Sequence, residues 1–265
     1  MTKKPGLEQN LVKQKIMKGE TAFGIYITVP SPVIVEIAGY SGYDFVRIDL
    51  CHSNIDMSRV EHLVRAAELS GVAPMARVDN NPEVISRLLE MGIQGLVVPD
   101  IETAEAARAV VKAARFGPTG ERGISGVPRA ARYGYLNPNE YIKWSNEEVL
   151  LGIQIESVEA VKNIDEILMV EGIDMCLSGR NDIAKSLGMP GQKNHPKVLE
   201  LEEKIFNAAK KHGKSISVNL DPASGNFAEN VAKWKSKGAQ VITFGHDISI
   251  IKKGFEDAIT AALQV

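Results

Sequence analysis

The chain has 265 residues, of which 31 are lysine or arginine and 33 are aspartate or glutamate, giving a formal net charge of −2. This balance lacks the basic surface typical of proteins that bind nucleic acid or anionic membranes, so we predict neither partner. No apolar run is long enough to span a bilayer, and the first ten residues contain no apolar signal-peptide core. With two cysteines, Cys51 and Cys176, the sequence predicts a reduced, cytoplasmic, enzyme-like protein.

Strand-like and helix-like segments alternate along the chain. Residues 1–20 are predicted to form an N-terminal extension with an amphipathic helix. Eight mostly apolar strands are predicted after it, at 23–29, 43–50, 73–78, 93–98, 149–155, 173–178, 214–220 and 239–244. Helices separate the strands, several with a polar cap before the first turn or a glycine after the last. This order predicts an α/β fold, a (β/α)8 TIM barrel, with residues 1–265 as a single domain.

A doubly wound open sheet is the alternative fold, but no Gly-x-Gly-x-x-Gly fingerprint follows the first strand. One stretch, residues 117–137, interrupts the alternation with glycines, prolines and three arginines, Arg122, Arg129 and Arg132. Loops of this length are usually functional, so a functional loop is predicted, with a simple surface excursion as the alternative.

Polar residues stand where several predicted strands end. In parallel β/α folds the chemistry collects at the carboxyl ends of the strands, so these residues are predicted to form one site. They are Asp49, His52, Arg77, Gln154, Glu156 and Asp182.

Glu156 and Asp182 follow neighbouring strands. Two carboxylates with further positions open suit a hard divalent ion such as Mg²⁺ or Mn²⁺. Without a metal they would repel each other and one would take up a proton. The alternative is that each carboxylate only caps a helix. Gln154 lies two residues before Glu156, so the two side chains face the same side of the strand.

His52 follows Asp49 closely, which is typical of a general base; the alternative is a loop histidine bonded to the backbone. Arg77, at the end of an apolar strand, needs an anionic partner. That partner is either a substrate or a protein carboxylate, for which Asp49, Asp79 and Glu90 are candidates. Cys51 is next to His52, but adjacent residues of an extended segment point opposite ways, so no Cys–His nucleophile is predicted.

Several blocks of the sequence together resemble the HpcH/HpaI aldolase family of metal-dependent pyruvate aldolases, over most of the chain from Gly24 onwards. The blocks are Ile48–His52, Ala76–Pro82, Gly120–Gly123, Arg129–Arg132, Gln154–Glu156, Val170–Asp174 and Gly179–Asp182. The resemblance implies a carbon–carbon lyase that cleaves 4-hydroxy-2-keto acids to pyruvate and an aldehyde through a metal-stabilised enolate.

The resemblance also implies a role for each site residue. Glu156 and Asp182 would hold a divalent metal, Mg²⁺, Mn²⁺ or Co²⁺, and Gln154 would support the metal's ligands. Arg77 would stabilise the enolate. The remaining implied roles are a base for His52, a carboxylate partner of that base for Glu90, a pocket-lining position for Asp49, and substrate binding for Arg77, Gln154, Asn181 and Arg180.

Three positions depart from the family pattern. Cys51 replaces a usual glutamate, Gly179–Asp182 replaces a Gly-Pro-Ala-Asp block, and Glu90 replaces a usual aspartate. These changes touch the aldehyde pocket and the proton relay, and they motivate the hypothesis that Arg180 selects an acidic or polar acceptor. Two other functions are considered beside the aldolase: an oxaloacetate decarboxylase similar to macrophomate synthase, on the same scaffold, and a catalytically silent barrel that binds a keto acid.

Family resemblance further implies a homohexamer, a trimer of dimers that exchange the last helix. The segment Ile248–Leu263 carries an apolar stripe that would equally suit packing on its own barrel.

Overall fold

The computed structural model of the protein describes residues 7–264. Its strands are β1 (Ala22–Ile27), β2 (Phe45–Asp49), β3 (Ala73–Arg77), β4 (Gly95–Val98), β5 (Leu150–Ile155), β6 (Met175–Ser178), β7 (Ser215–Leu220) and β8 (Ala239–His246). Its α-helices are α1 (Leu11–Met17), α2 (Pro32–Tyr40), α3 (Met57–Leu69), α4 (Pro82–Met91), α5 (Ala104–Ala114), α6 (Pro138–Glu148), α7 (Val158–Lys162), α8 (Ile164–Leu168), α9 (Arg180–Ser186), α10 (Pro196–Lys211), α11 (Phe227–Ser236) and α12 (Asp247–Ala262).

The eight strands form a closed parallel barrel in which each strand pairs with the next and β8 pairs with β1. Helices connect successive strands, as right-handed β/α crossovers require. The predicted (β/α)8 architecture is therefore confirmed. That the whole chain forms one domain stays a prediction, and residues 1–6 and 265 lie outside the described residues.

Successive side chains of each strand point alternately to the helices and to the barrel interior, so the apolar core has two parts. On β2, Val46 and Ile48 join the cluster between the barrel and its helices, while Phe45 joins the cluster inside the barrel. The inside cluster is apolar near the amino-terminal ends of the strands. Higher on β2 the same inward face carries Arg47 and then Asp49, both fully buried. The interior thus changes from apolar at one end to charged at the other.

Helix α1 covers the amino-terminal end of the barrel. Asn10, which is fully buried, caps this helix by accepting hydrogen bonds from the backbone N–H groups of Val12 and Lys13. Its side-chain amide donates to the carbonyl oxygens of Gln94, which immediately precedes β4, and of Glu148, the last residue of α6. The N-terminal helix therefore lies at the face opposite to the carboxyl ends of the strands.

Helix α6 was not predicted. Asn137 caps it by accepting hydrogen bonds from the backbone N–H groups of Asn139 and Glu140, and Pro138 occupies its first turn. Between β5 and β6 the connection is two short helices, α7 and α8, divided at Asn163. The long loop contains a 3-10 helix at Arg129–Gly134, in which Arg132 and Tyr133 adopt left-handed backbone angles.

Helix α12 presents its apolar stripe outwards. Phe255 is 74% exposed and Ile259 is 58% exposed, whereas Asp247 at the start of the helix is buried. Asp247 accepts hydrogen bonds from the backbone of Thr28 and Val29, which attaches the helix to the end of β1. No helix within the described residues has both the length and the apolar character needed to cross a membrane.

Candidate active site

The carboxyl end of the barrel holds a bidentate ion pair between β2 and β3. Arg77 donates to Asp49 from Nε (3.0 Å, to Oδ1) and from one terminal nitrogen, Nη2 (2.6 Å, to Oδ2). Burial by itself would raise the pKa of Asp49, but Arg77 and the backbone N–H groups of Cys51 and His52 bring it below its ordinary value. The other terminal nitrogen of Arg77, Nη1, forms no hydrogen bond with a residue of the range 7–264. Both side chains are therefore charged, and Arg77 keeps one donor for a ligand.

Tyr26, which was not among the predicted site residues, lines the same end of the barrel together with His246 at the end of β8. The Arg77 guanidinium carbon lies 4.9 Å from the centre of the Tyr26 ring, within the range of a cation–π contact. The Tyr26 ring stacks on His246 with ring centres 4.9 Å apart. Burial lowers the pKa of His246; the charges of Asp49, Asp247, Arg77 and His52 also act on it, in opposing directions.

Glu156 is the centre of an acidic cluster at the ends of β4, β5 and β6. Its Oε1 accepts a hydrogen bond from the backbone N–H of Asp100 (2.9 Å), and its Oε2 accepts one from Nε2 of Gln154 (2.5 Å). Burial raises the pKa of Glu156 to about 7, and the negative charges of Asp100 and Asp182 contribute to the rise. The sequence prediction that Glu156 and Asp182 interact is consistent with this electrostatic effect.

Asp100 was missed by the sequence prediction. It directly follows β4, so the rule that selected the ends of the other strands would have selected it as well. Its backbone adopts a left-handed conformation with φ of +56°, which is uncommon for a residue other than glycine. This conformation accompanies the hydrogen bond from its N–H to Glu156.

These residues fit a divalent cation. Glu156 and Asp182 supply hard carboxylate ligands, and a cation would offset the repulsion that raises the pKa of Glu156. Gly179 leaves room at this point, because a Cβ there would collide with the side chains of Glu156 and Gln154. The side-chain oxygen of Gln154 is buried and has no hydrogen-bond partner in the described chain, so it is free to accept from a ligand of the metal. No group of three or more His, Cys, Asp or Glu suited to a metal occurs within residues 7–264, so a cation here would rely on a pair of carboxylates and on water or substrate oxygens.

His52 lies at the exposed edge of the site. Asp49 accepts a hydrogen bond from its backbone N–H (3.3 Å), so the carboxylate contacts the backbone of His52. Within residues 7–264 no hydrogen bond joins the Asp49 carboxylate to the His52 ring. The ring of His52 is exposed, and its charge is close enough to influence His246.

Glu90 lies on the outer side of α4, in a cleft of about 510 Å³ formed with Arg129, Tyr133 and the residues around them. Its charge acts on the buried Arg122 and Tyr141. No hydrogen bond joins Glu90 to His52 in the part of the chain that is described. The predicted His52–Glu90 pair is thus not formed within this single chain.

Arg180 already has a partner inside the protein. Its Nε and Nη2 donate to the two carboxylate oxygens of Glu202 at 2.7 and 2.6 Å. Glu202 is 6% exposed and also accepts a hydrogen bond from Ser178. Asn181 is exposed in the first turn of α9. The structure therefore places Asn181 at the surface near Asp182, and it holds the Arg180 guanidinium against α10.

Comparisons with known proteins identify the family. The HpcH/HpaI aldolase/citrate lyase family matches residues 22–250. This chain belongs to that family. It is therefore a carbon–carbon lyase of the aldolase type, and the prediction of an enzyme is confirmed.

Individual relatives align with nearly the full length of this chain. The 2-keto-3-deoxy-L-rhamnonate aldolase of Klebsiella pneumoniae is 35% identical over 253 residues, which cover 94% of this chain and 92% of that protein. The pyruvate aldolase of Rhizobium etli is 35% identical over 251 residues, 94% of this chain and 96% of that protein. Among solved structures, the citrate synthase SbnG superposes with a TM-score of 0.86 at 32% identity, covering 97% of this chain and 98% of that one.

Proposed function

We propose that the protein is a divalent-metal-dependent pyruvate aldolase that cleaves 4-hydroxy-2-keto acids. One observation carries the proposal. The same end of the barrel holds Arg77, a cation with one nitrogen left to donate a hydrogen bond, and two carboxylates that repel each other, Glu156 and Asp182. A 2-keto acid has a carboxylate and a keto oxygen that match these two features.

Glu156 and Asp182 would hold the divalent cation, with Gln154 beside them. When bound, such a cation polarises a keto group and stabilises the negative charge that develops on its oxygen. The donor set does not discriminate strongly among Mg²⁺, Mn²⁺ and Co²⁺, so each belongs in the test.

Arg77 would donate from its free Nη1 to the keto oxygen of the substrate. Its other hydrogen bonds go to Asp49, and its guanidinium rests on Tyr26, so the donor is fixed before the substrate arrives. Fixed donors stabilise a developing enolate without the reorganisation that solvent would need.

A base must take the proton from the hydroxyl group of the carbon that leaves as the aldehyde. We assign this role to His52, whose exposed ring at the mouth is accessible to the acceptor half of the substrate. We also propose that Glu90, Asn181 and Arg180 contribute to the end of the pocket that binds the aldehyde. A pairing of Glu90 with His52 would require a contact outside the single chain.

The apolar outer face of α12 supports an oligomer. Its exposed residues include Phe255 and Ile259, and apolar patches of this kind mark protein–protein contacts. We propose the hexamer built from dimers that the family resemblance implies, and a cytoplasmic location.

The decisive experiment is pyruvate release from a panel of 4-hydroxy-2-keto acids, with 2-keto-3-deoxy sugar acids included because of the named relatives. The protein is treated with EDTA and then supplied with Mg²⁺, Mn²⁺ or Co²⁺. Release restored by metal, and lost in Glu156→Gln and Asp182→Asn, is the expected result. An exposed carboxylate variant, Glu159→Gln, is the matched control.

Other outcomes point to other functions. Pyruvate release from oxaloacetate alone would replace the aldolase proposal by a decarboxylase. Citrate formation from oxaloacetate and acetyl-CoA is a second candidate because of the likeness to the solved citrate synthase. Keto-acid binding without turnover under any metal would indicate the catalytically silent barrel.

A further inference from the structure

Arg47 is a buried cation inside the barrel that the proposed reaction has not used. Its side chain, on β2, is fully buried. Nη1 donates to the hydroxyl oxygens of Tyr26 (3.2 Å) and Thr243 (3.1 Å). Nε and Nη2 are inaccessible to solvent and have no hydrogen-bond partner among residues 7–264.

No carboxylate neutralises Arg47 within the described part of the chain. It forms no ion pair there, and Asp49, two residues along the same face of β2, has both carboxylate oxygens bonded to Arg77. Two aromatic rings lie close to its guanidinium carbon, with the Tyr26 ring centre at 5.2 Å and the Phe45 ring centre at 5.3 Å. An arginine does not lose its proton in a protein, so Arg47 contributes a positive charge to the barrel interior without a carboxylate paired to it in the described residues.

The charge lies directly below the site. Tyr26 contacts both arginines: the guanidinium carbon of Arg47 lies 5.2 Å, and that of Arg77 4.9 Å, from its ring centre. The two cations are therefore no more than about 10 Å apart, the sum of those two distances. In a poorly screened interior a unit charge acts over such a distance.

We propose that Arg47 is a positioning residue that supplies fixed positive charge beneath Arg77 and thereby favours doubly negative, enolate-like ligands over singly charged pyruvate. The inference rests on the proposed function and extends it to a residue that does not touch the substrate. Because Nε and Nη2 have no accessible surface, Arg47 acts through its electric field and not through a contact.

Coulomb's law gives this proposal a numerical signature. The interaction energy with a fixed charge is proportional to the charge of the ligand, so loss of Arg47 weakens a dianion twice as much, on a logarithmic scale, as a monoanion. We expect removal of the charge to weaken pyruvate binding about threefold and oxalate binding about tenfold. Oxalate is the probe because it is a planar dianion that resembles the enolate of pyruvate.

The experiment measures binding of pyruvate and of oxalate by calorimetry at one pH and saturating Mg²⁺. Arg47→Gln removes the charge and keeps an amide donor for Tyr26 and Thr243; Arg47→Met is used if the glutamine variant does not fold. Arg47→Lys keeps the charge and should bind both ligands within about twofold of the original protein. Arg65→Gln removes an exposed, surface-paired arginine and is the matched control.

Equal losses for the two ligands, or no loss for oxalate, would overturn the proposal, because a purely structural role does not distinguish ligand charge. So would a lysine variant as impaired as the glutamine variant. Exchange of the pyruvate methyl protons with D₂O, measured with the original protein, distinguishes failure of the proposed function from failure of the role of Arg47. If that exchange fails, the proposed function fails and this inference with it; if it occurs while the affinity ratio is unchanged in the variants, only the role of Arg47 fails.

Discussion

Arg77 binds Asp49 through two parallel hydrogen bonds, of 3.0 and 2.6 Å, across neighbouring strands of the barrel. This arrangement uses two nitrogens of the guanidinium and leaves Nη1 for a ligand. The ion pair that the sequence suggested as an alternative to a catalytic role is thus compatible with one, because it holds the remaining donor in place.

We expect Arg77→Lys to lower kcat/KM about a hundredfold or more, since lysine cannot bond both oxygens of Asp49 and donate to a keto oxygen in the same geometry. Steady-state kinetics on the best keto acid of the panel, with circular dichroism to verify the fold, measures this. Arg87→Lys, on an exposed surface pair, controls for the substitution itself. Activity within a few-fold of the original protein would contradict the role of Arg77.

Removal of one carboxylate from the acidic cluster should weaken metal binding. We expect Glu156→Gln and Asp182→Asn each to weaken Mn²⁺ binding at least about a hundredfold, because a pair of carboxylates provides most of the attraction. Electron paramagnetic resonance of free Mn²⁺ measures the affinity. Asp100→Asn tests the third acid: a smaller loss places Asp100 beside the metal site, whereas an equal loss would make it a third ligand.

Metal affinity should depend on pH through Glu156, whose pKa is raised by burial to about 7. Below that pH the metal-free carboxyl is protonated, so binding a cation releases a proton and the affinity falls, by up to about tenfold per pH unit. Above it the carboxylate is already charged and the affinity levels off. Mn²⁺ titrations from about pH 5.5 to about pH 8.5 measure the profile; an affinity independent of pH would contradict it.

Cys51 should be unreactive. Burial, and then the neighbouring carboxylate of Asp79, raise the pKa of its thiol to about 12, so at pH 8 only about one molecule in ten thousand carries the thiolate. In a Cys176→Ala background we expect iodoacetamide to label Cys51 at least about a hundredfold more slowly than a free thiol. Asp79→Asn should accelerate labelling. Rapid labelling of the original protein would show that the thiol is activated.

Variants of the Arg180–Glu202 pair test its effect on stability and, separately, its effect on substrate specificity. Arg180→Met leaves the buried Glu202 without its partner, and we expect a loss of about 2 kcal/mol in the free energy of unfolding. The double variant Arg180→Met, Glu202→Met should recover part of that loss in urea titrations. For specificity, rates with acidic and neutral aldehydes are compared in Glu202→Gln, which frees Arg180. Unchanged relative rates in both Arg180→Met and Glu202→Gln would end the hypothesis that Arg180 selects the acceptor.

The architecture could be predicted because its signals are local and repeated. Apolar strands and capped helices recur along the chain, and the ends of parallel strands must meet, which brought Asp49, Arg77 and Glu156 to one face. Tyr26 and Arg47 gave no such signal, since they sit within apolar strands and their importance depends on inward-facing neighbours. The direction of His52 and the position of Glu90 depend on loop and side-chain conformations that no periodicity encodes.

Helix α1 and the buried Asn10 close the barrel at the face opposite to the site. The described chain thus begins at that covered pole, where Leu7 lies beside Trp144 and Glu148. A reporter domain or a solid support joined on the amino-terminal side of Leu7 would leave the opposite pole, which holds the site, facing the solution, so the protein can be tethered without obstructing the entry of its substrates.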